Sequence, residues 1–332
     1  MVTYQPCLCS EADAQERFRG EASAFHLEQC LQCGQGITTP WPTEKQLAEA
    51  YSSEYYSSET AKFNRLIETW TRFAAGRRAR SLIKKHGGGA STRILDYGCG
   101  RGVLLAGFKQ QGADVFGAER AGSGFESITD VHITNLDQLV ADGERFDIVV
   151  VWHVLEHLSL PRDDLQKISE LLLPGGSLFL EVPNFSSWQA RLFGRHWFHL
   201  DFPRHLYHFT ARSLQAAIQQ AGFETVSLHT YAPDQQLYGF AQSALNAVPF
   251  LPHNHLYGLL KQRGSRGAWF GILLYLPILV VLTVPALIEL LLSVGASRGA
   301  VLTVHARKPN AKAGKLDSKA TGTHDLKLGG QK

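Results

Sequence analysis

The chain carries no large excess of charge of either sign. Its 33 Lys and Arg stand against 30 Asp and Glu, a net charge of +3, so there is no electrostatic case for a nucleic-acid partner. The basic excess falls mostly in the tail after Arg307, which leaves the remainder near neutral. No internal repeat is visible. The opening residues, Met1-Val-Thr-Tyr-Gln-Pro, have neither a basic start nor an apolar core and are not read as a secretory signal. Cysteine is scarce. Four of the five cysteines, Cys7, Cys9, Cys30 and Cys33, lie near the N-terminus, and Cys99 sits in a glycine-rich stretch. That distribution suits a metal site in a reducing compartment better than a disulfide framework.

With 332 residues, 44% of them hydrophobic, the chain is long enough for one full α/β domain and smaller additions. Residues 1–42 read as a zinc-knuckle module, because two close cysteine pairs, Cys7-Leu-Cys9 and Cys30-Leu-Gln-Cys33, can close a tetrahedron of soft thiolates. The alternative is four reduced thiols in a loosely ordered segment. So small a segment has little core of its own, and a structural zinc would explain how it folds. Residues 43–90 read as a helical linker. Thr43 is a cap signal, and Phe63, Leu66, Ile67, Trp70 and Phe73 recur at helical spacing, as for a helix packed on a sheet.

From Arg93 the pattern alternates. Strand 93–97 runs into a glycine-rich loop and a helix near 102–111. Strand 114–118, strand 146–152, helix 161–173, strand 178–183, helix 211–221, strand 223–230 and strand 300–307 follow. This order predicts an α/β fold with a mostly parallel sheet. Asp96 ends the first strand at the carboxyl edge, where open α/β sheets bind ligands. Gly98, Gly100 and Gly102 let the backbone turn tightly and approach a ligand. Glu119 ends the second strand and can accept hydrogen bonds from ribose hydroxyls. Read alone, the loop could also be a ligand-free turn or a dinucleotide site.

The segment Asp96-Tyr-Gly-Cys-Gly-Arg-Gly102 resembles motif I of the class I S-adenosylmethionine (SAM)-dependent methyltransferases. Further stretches resemble the methyltransferase type 23, or ubiquinone-methyltransferase-like, group. These are Trp152-His-Val-Leu-Glu-His-Leu158, Leu173-Pro-Gly-Gly, Val182-Pro-Asn184, Trp197 to Thr210, Pro40 to Leu47 and the cysteine module. The resemblance implies a Rossmann-like sheet with its last strand antiparallel, formed by residues 91–231 plus 299–308. It also implies SAM as cofactor. The methionine part would lie at Tyr97, Gly98 and Gly100, with Asn135 near the adenine and Trp152 beside the site.

His153, Glu156 and His157 share a face at helical spacing. His-x-x-Glu-His is also the inverted zinc-protease motif, but here it follows a buried strand and no further ligand signature of that class appears. Methyl transfer needs an aligned acceptor, and a base where the acceptor holds its proton. His157 and His205 are the candidate bases, with His153 a third; each could instead order a loop. Some relatives with Glu-x-x-Glu-His here bind a divalent metal, and His153 in place of the first Glu puts that in doubt. Residues 185–210, rich in aromatics and histidine, would cover the acceptor or be a packed connection.

The one long apolar run is 269–295, inside a 232–298 insertion. It is long enough to span a bilayer, but strands 223–230 and 300–307 should share one sheet, so both ends belong on one side. Lys261, Arg263, Arg266, Arg298, Arg307 and Lys308 place both flanks in the cytoplasm. A re-entrant hairpin bent at Pro277 or Pro285, or an in-plane anchor, is expected; a buried helical pair over the site or a homodimer interface is the alternative. Residues 309–332 read as a disordered tail. The expected function is methylation of a small or lipid-linked acceptor at O, N or C, at the inner face of the cell membrane. A soluble sugar-nucleotide or natural-product enzyme, and a degenerate SAM-binding scaffold, are the alternatives.

Overall fold

Val, Ile and Phe alternate or run together in the strand segments, and β4, β5 and β8 stop at glycine, an acid and asparagine in turn. That patterning yields two sheets. The computed structural model describes residues 7, 14–19, 24–51, 65–119, 132–261 and 266–310. Seven strands form the main sheet in the order β10-β11-β8-β7-β4-β5-β6. They are β4 (Arg93–Tyr97), β5 (Asp114–Ala118), β6 (His132–Thr134), β7 (Phe146–Trp152), β8 (Leu172–Pro183), β10 (Glu224–His229) and β11 (Val301–Arg307). Strands β4 to β8 pair in parallel, whereas β11 is antiparallel to both β8 and β10. Strand order reverses beside β4, and the glycine loop lies at that point, where such sheets take ligands. Strand β7 is buried on both faces: Val149 and Val151 join one core, Ile148 and Val150 the other.

Helices cover both faces. Helix α1 spans Glu44–Ala50 and is closed by a capping box between Thr43 and Gln46. Helix α2 spans Arg65–His86 and packs with α3 (Val103–Lys109) on one face; α4 (Leu136–Ala141), α5 (Pro161–Leu171) and α7 (Ala211–Gln220) serve the other. Helix α6 is Trp188–Phe193. The aromatic periodicity expected to seat α2 on the sheet does not do so. Trp70 and Phe73 are exposed, and Ala75, Ala79, Leu82 and Ile83 make the contact instead. Small residues win because α3 comes close: a Cβ on Gly107 would lie 2.9 Å from the Ala75 carbonyl oxygen. Phe63 and the Leu66 side chain fall outside the described residues.

The second sheet, β1-β2-β3-β9, joins the N-terminal strands β1 (Ala14–Arg19), β2 (His26–Cys30) and β3 (Gly36–Thr39) to β9 (Tyr207–His208). The module therefore takes its fourth strand from the segment expected to cover the acceptor.

The insertion forms α8 (Pro233–Asn246), α9 (His255–Lys261) and α10 (Arg266–Gly295). No hairpin forms: α10 runs unbroken through Pro277 and Pro285. It stays whole because both of its ends are docked. Ala268 and Tyr275 share a cluster with Leu256 and Leu259 of α9, and near the C-terminal end Glu289 and Ser293 bond to Gln189 and Gln236. The tail beyond 310 lies outside the described residues.

Candidate active site

Strand β4 delivers Asp96 and Tyr97 to the sheet edge, and the chain turns through Gly98, Gly100 and Gly102 at φ of 78°, 49° and 67°. The glycines serve different ends. A Cβ on Gly98 would lie 2.1 Å from Val154 Cγ2, so Gly98 permits protein packing; one on Gly100 would meet nothing within 4 Å, so Gly100 borders open space. Gly102 starts α3 from the left-handed region. The Gly98 N–H donates to the Ala118 carbonyl at 2.7 Å, and the Gly100 N–H donates to Glu119 Oε2 at 2.9 Å. The two expected cofactor acids are thus brought to one edge. Burial, reinforced by the Glu119 charge, pushes the Asp96 carboxyl up to about 7. A cationic ligand would relieve both effects.

The Tyr97 hydroxyl donates to Asp164 at 3.2 Å. Burial raises Asp164 to about 6, against the Lys167 charge and that hydrogen bond. Asn135 is exposed and caps α4 by accepting from the Gln138 N–H. Trp152 lies under Arg78, whose guanidinium carbon is 4.2 Å from the ring centroid. It lines a second cavity, of about 250 Å³, between α2 and the β8-β11-β10 end of the sheet.

His153, Glu156 and His157 follow β7 and are brought together, but not on an α-helix: Leu155–His157 is a single 3-10 turn. His153 has a φ of 54°. Its Nδ1 lies 3.3 Å from Glu156 Oε1 and its Nε2 3.2 Å from Glu181 Oε1. Burial by itself would lower its pKa, but hydrogen bonds and charge from the two buried carboxylates outweigh that and raise it to about 10. At neutral pH it is an imidazolium between two carboxylates, which unsuits it as a base.

His157 and His205 meet edge to face, their centroids 4.6 Å apart. His157 Nδ1 lies 3.0 Å from the Arg204 carbonyl and 2.9 Å from the Tyr51 hydroxyl; His205 Nδ1 lies 2.8 Å from the His199 carbonyl. A carbonyl only accepts, so each Nδ1 carries a proton. Burial, then the His157 charge, holds His205 well below the usual imidazole range, so it is neutral. Ligand atoms of Glu156, His157 and His205 lie within 4.8 Å of one another, close enough to share one proton or one ion.

These groups line a cavity of about 370 Å³. Phe198 and His199 close one side, and Tyr238 of α8 and Tyr257 of α9 another. Burial takes His199 down to about 3 and Tyr257 up to about 12. Asp201 is ion-paired with Arg204, and Glu156 with His153. Sequence reasoning missed Asp164, Glu181, His199, Tyr238 and Tyr257. The tyrosines carried no local signal of their own, since they sit in an insertion read from its apolarity as a membrane anchor, a helical cover or a dimer interface.

On the module side, Cys7, Cys30 and Cys33 are buried, form no disulfide, and converge within 4.8 Å, with Cys7 and Cys33 sulfurs 3.3 Å apart. Three convergent thiols are a soft donor set that fits zinc. Cys9 lies outside the described residues. Cys99 is buried in the glycine loop, and burial pushes its thiol up, so it is not a nucleophile.

Comparison with known proteins agrees with this geometry. A ubiquinone biosynthesis O-methyltransferase of Roseobacter denitrificans is 34% identical over 157 residues, 42% of this chain and 62% of that protein. One from an Azoarcus species is 28% identical over 181 residues, 48% of this chain and 77% of that protein. The chain thus spans about six-tenths of the length of the first relative. A solved SAM-dependent methyltransferase from Archaeoglobus fulgidus aligns with 71% of this chain and 94% of its own, at 18% identity and a TM-score of 0.46. Residues 61–228, half of the sequence, match the type 23 methyltransferase domain. The chain belongs to that methyltransferase domain family.

Proposed function

We propose that the protein is a SAM-dependent methyltransferase that acts on a small or lipid-linked acceptor at the inner face of the cell membrane. The observation that carries the reading is the contact between Gly100 and Glu119 beside buried Asp96, with a histidine-lined cavity at the same sheet edge. The two acids offer charge to the cationic part of SAM, Glu119 remains placed for the ribose, and Gly100 leaves room for the ligand. SAM supplies an activated methyl group; the chain's own work is to hold the acceptor in line with it. His157 and His205 line the cavity and are the candidates to take the acceptor's proton. The curated relatives are O-methyltransferases, which favours a hydroxyl acceptor, the case in which a base is needed.

Helix α10 supports the membrane part. Its window has a mean hydropathy of 2.5 and is 11% buried. Leu273, Val280, Val281, Ile288 and Leu291 are exposed along its length. Docked sites at Ala268 and Ser293 are separated by roughly 38 Å at 1.5 Å per residue, so the helix lies along the body and presents its apolar face sideways. A crossing would break the buried bonds of Glu289 and Ser293.

The test has two arms. Calorimetry with SAM and its demethylated product should show binding, and membrane lipid extracts incubated with labelled SAM should yield a labelled product lost on His157→Ala. Absence of SAM binding sinks the enzyme reading. Single cysteines replacing Lys261 and Asn310 should both resist an impermeant reagent on intact cells and react after lysis; labelling of position 310 alone would mean that α10 spans.

A further inference from the structure

The segment that carries His205 is held from two sides. Towards the main sheet, the Leu206 N–H donates to the Glu156 carbonyl at 2.8 Å and the Phe185 N–H to the Phe209 carbonyl at 2.8 Å. Among the described residues, the other backbone ties of residues 205–208 to a distant part of the chain come from the cysteine module. Strand β3 pairs with β9 through Gly36 and His208, and Ile37 and Tyr207. The Thr38 N–H donates to the Leu206 carbonyl at 3.0 Å, and the Thr38 hydroxyl donates to the carbonyl of His205 itself at 2.6 Å. The same hydroxyl lies 3.4 Å from His208 Nε2. Thr210 closes the join by donating to the Cys33 carbonyl at 2.8 Å.

The module is built for this approach. A Cβ on Gly36 would lie 3.0 Å from the His208 Cβ and 2.8 Å from a Leu27 methyl, so only glycine lets β3 come so near. Strand β3 leaves directly from the turn that carries Cys33, which is closed by the Cys30 N–H to Gln35 carbonyl bond at 2.8 Å and the Gly34 N–H to Cys30 carbonyl bond at 2.9 Å. Three short strands with so little apolar interior do not hold a fixed edge by themselves. A metal held by Cys7, Cys30 and Cys33 would fix the turn, the turn would fix β3, and β3 would fix the carbonyl of His205.

We infer that the cysteine module positions the acceptor-side histidine, with Thr38 as the positioning residue, so that zinc at the thiols controls the acceptor half of the site and leaves the SAM half alone. This rests on the reading of the histidine-lined cavity as the acceptor site. The separation is physical: Asp96 and Gly100 make no hydrogen bond to the module among the described residues, whereas His205 is tied to it through its own carbonyl.

The experiment uses the full-length, zinc-loaded protein and compares wild type, Thr38→Val, Thr38→Ser and zinc-stripped wild type. Two readouts follow the loop without any acceptor: amide exchange over 198–210, and the rate at which diethyl pyrocarbonate modifies His205, followed by peptide mass. In Thr38→Val and in the stripped protein, exchange over 198–210 and His205 modification should both rise, the latter about tenfold, equal to ~1.4 kcal/mol of local protection. Thr38→Ser, which keeps the hydroxyl, should return both towards wild type. Calorimetric affinity for the demethylated cofactor and exchange across β4, β7 and β8 should stay at wild-type values. An unchanged loop in both Thr38→Val and stripped protein overturns the inference. So does loosening that extends to the main sheet or abolishes cofactor binding, since that is plain destabilisation. If the loop is released as described but labelled-methyl transfer to lipid extract persists unchanged, positioning stands and the acceptor reading of the cavity fails.

Discussion

Two glycines of the loop that follows β4 differ in what they tolerate. Gly98→Ala combines a positive φ with a Cβ placed 2.1 Å from Val154, so it should destabilise the fold visibly in thermal melts. Gly100→Ala carries only the left-handed strain, about 1–2 kcal/mol, and its methyl points into open space. Its melt should shift slightly while SAM affinity falls by at least about tenfold, or ~1.4 kcal/mol. Equal loss of stability in both variants would show that Gly100 does not border the ligand. Asp96 makes a pH prediction. Its folded pKa of about 7 is raised from 3.8, so its contribution to stability is fullest below the unfolded value and is lost as pH rises through about 7. SAM binding neutralises that penalty. Apo stability should fall, and the SAM-induced rise in melting temperature should grow, between about pH 6 and about pH 8; Asp96→Asn should flatten both trends.

At the scale of elements, α10 concentrates the unexplained apolar surface. Val281 and Leu291 are 72% and 73% exposed. The double change Val281→Asp, Leu291→Asp should leave stability within about 0.5 kcal/mol yet abolish flotation with anionic liposomes. Retained flotation would move the membrane contact elsewhere, and a shift from dimer to monomer on sizing columns would identify a second copy as the occupant. The elements also show how far patterning reaches. Apolar runs and their stops place β4, β5, β7, β11 and α7 within a residue or two, because a strand buried on both faces admits few other residues. Aromatic spacing misleads in α2, where Trp70 and Phe73 face out, because the partner helix comes too close for anything larger than alanine at the contact.

For the whole molecule, the pairing of β3 with β9 ties the cysteine module to the segment that carries His205. Metal analysis should return about one zinc per chain, and Cys33→Ser should release the metal and loosen the four-stranded sheet first. Metal-free protein with undiminished protection over β2 and β3 would exclude the zinc. The sequence alone placed the residues of the proposed cofactor side. Asp96, the three glycines and Glu119 are close along the chain or one crossover apart, and strand ends in a parallel sheet meet at one edge by construction. Only tertiary structure decided how the proposed acceptor side is assembled. His157 and His205 meet across 48 residues, Tyr238 and Tyr257 arrive from the apolar insertion, and Thr38 reaches His205 across 167. It also decided the charge of His153, which depends on Glu181, supplied by the neighbouring strand, as much as on Glu156, three residues away. Periodicity records which face of an element is buried; it holds no record of which distant side chain will be buried against it.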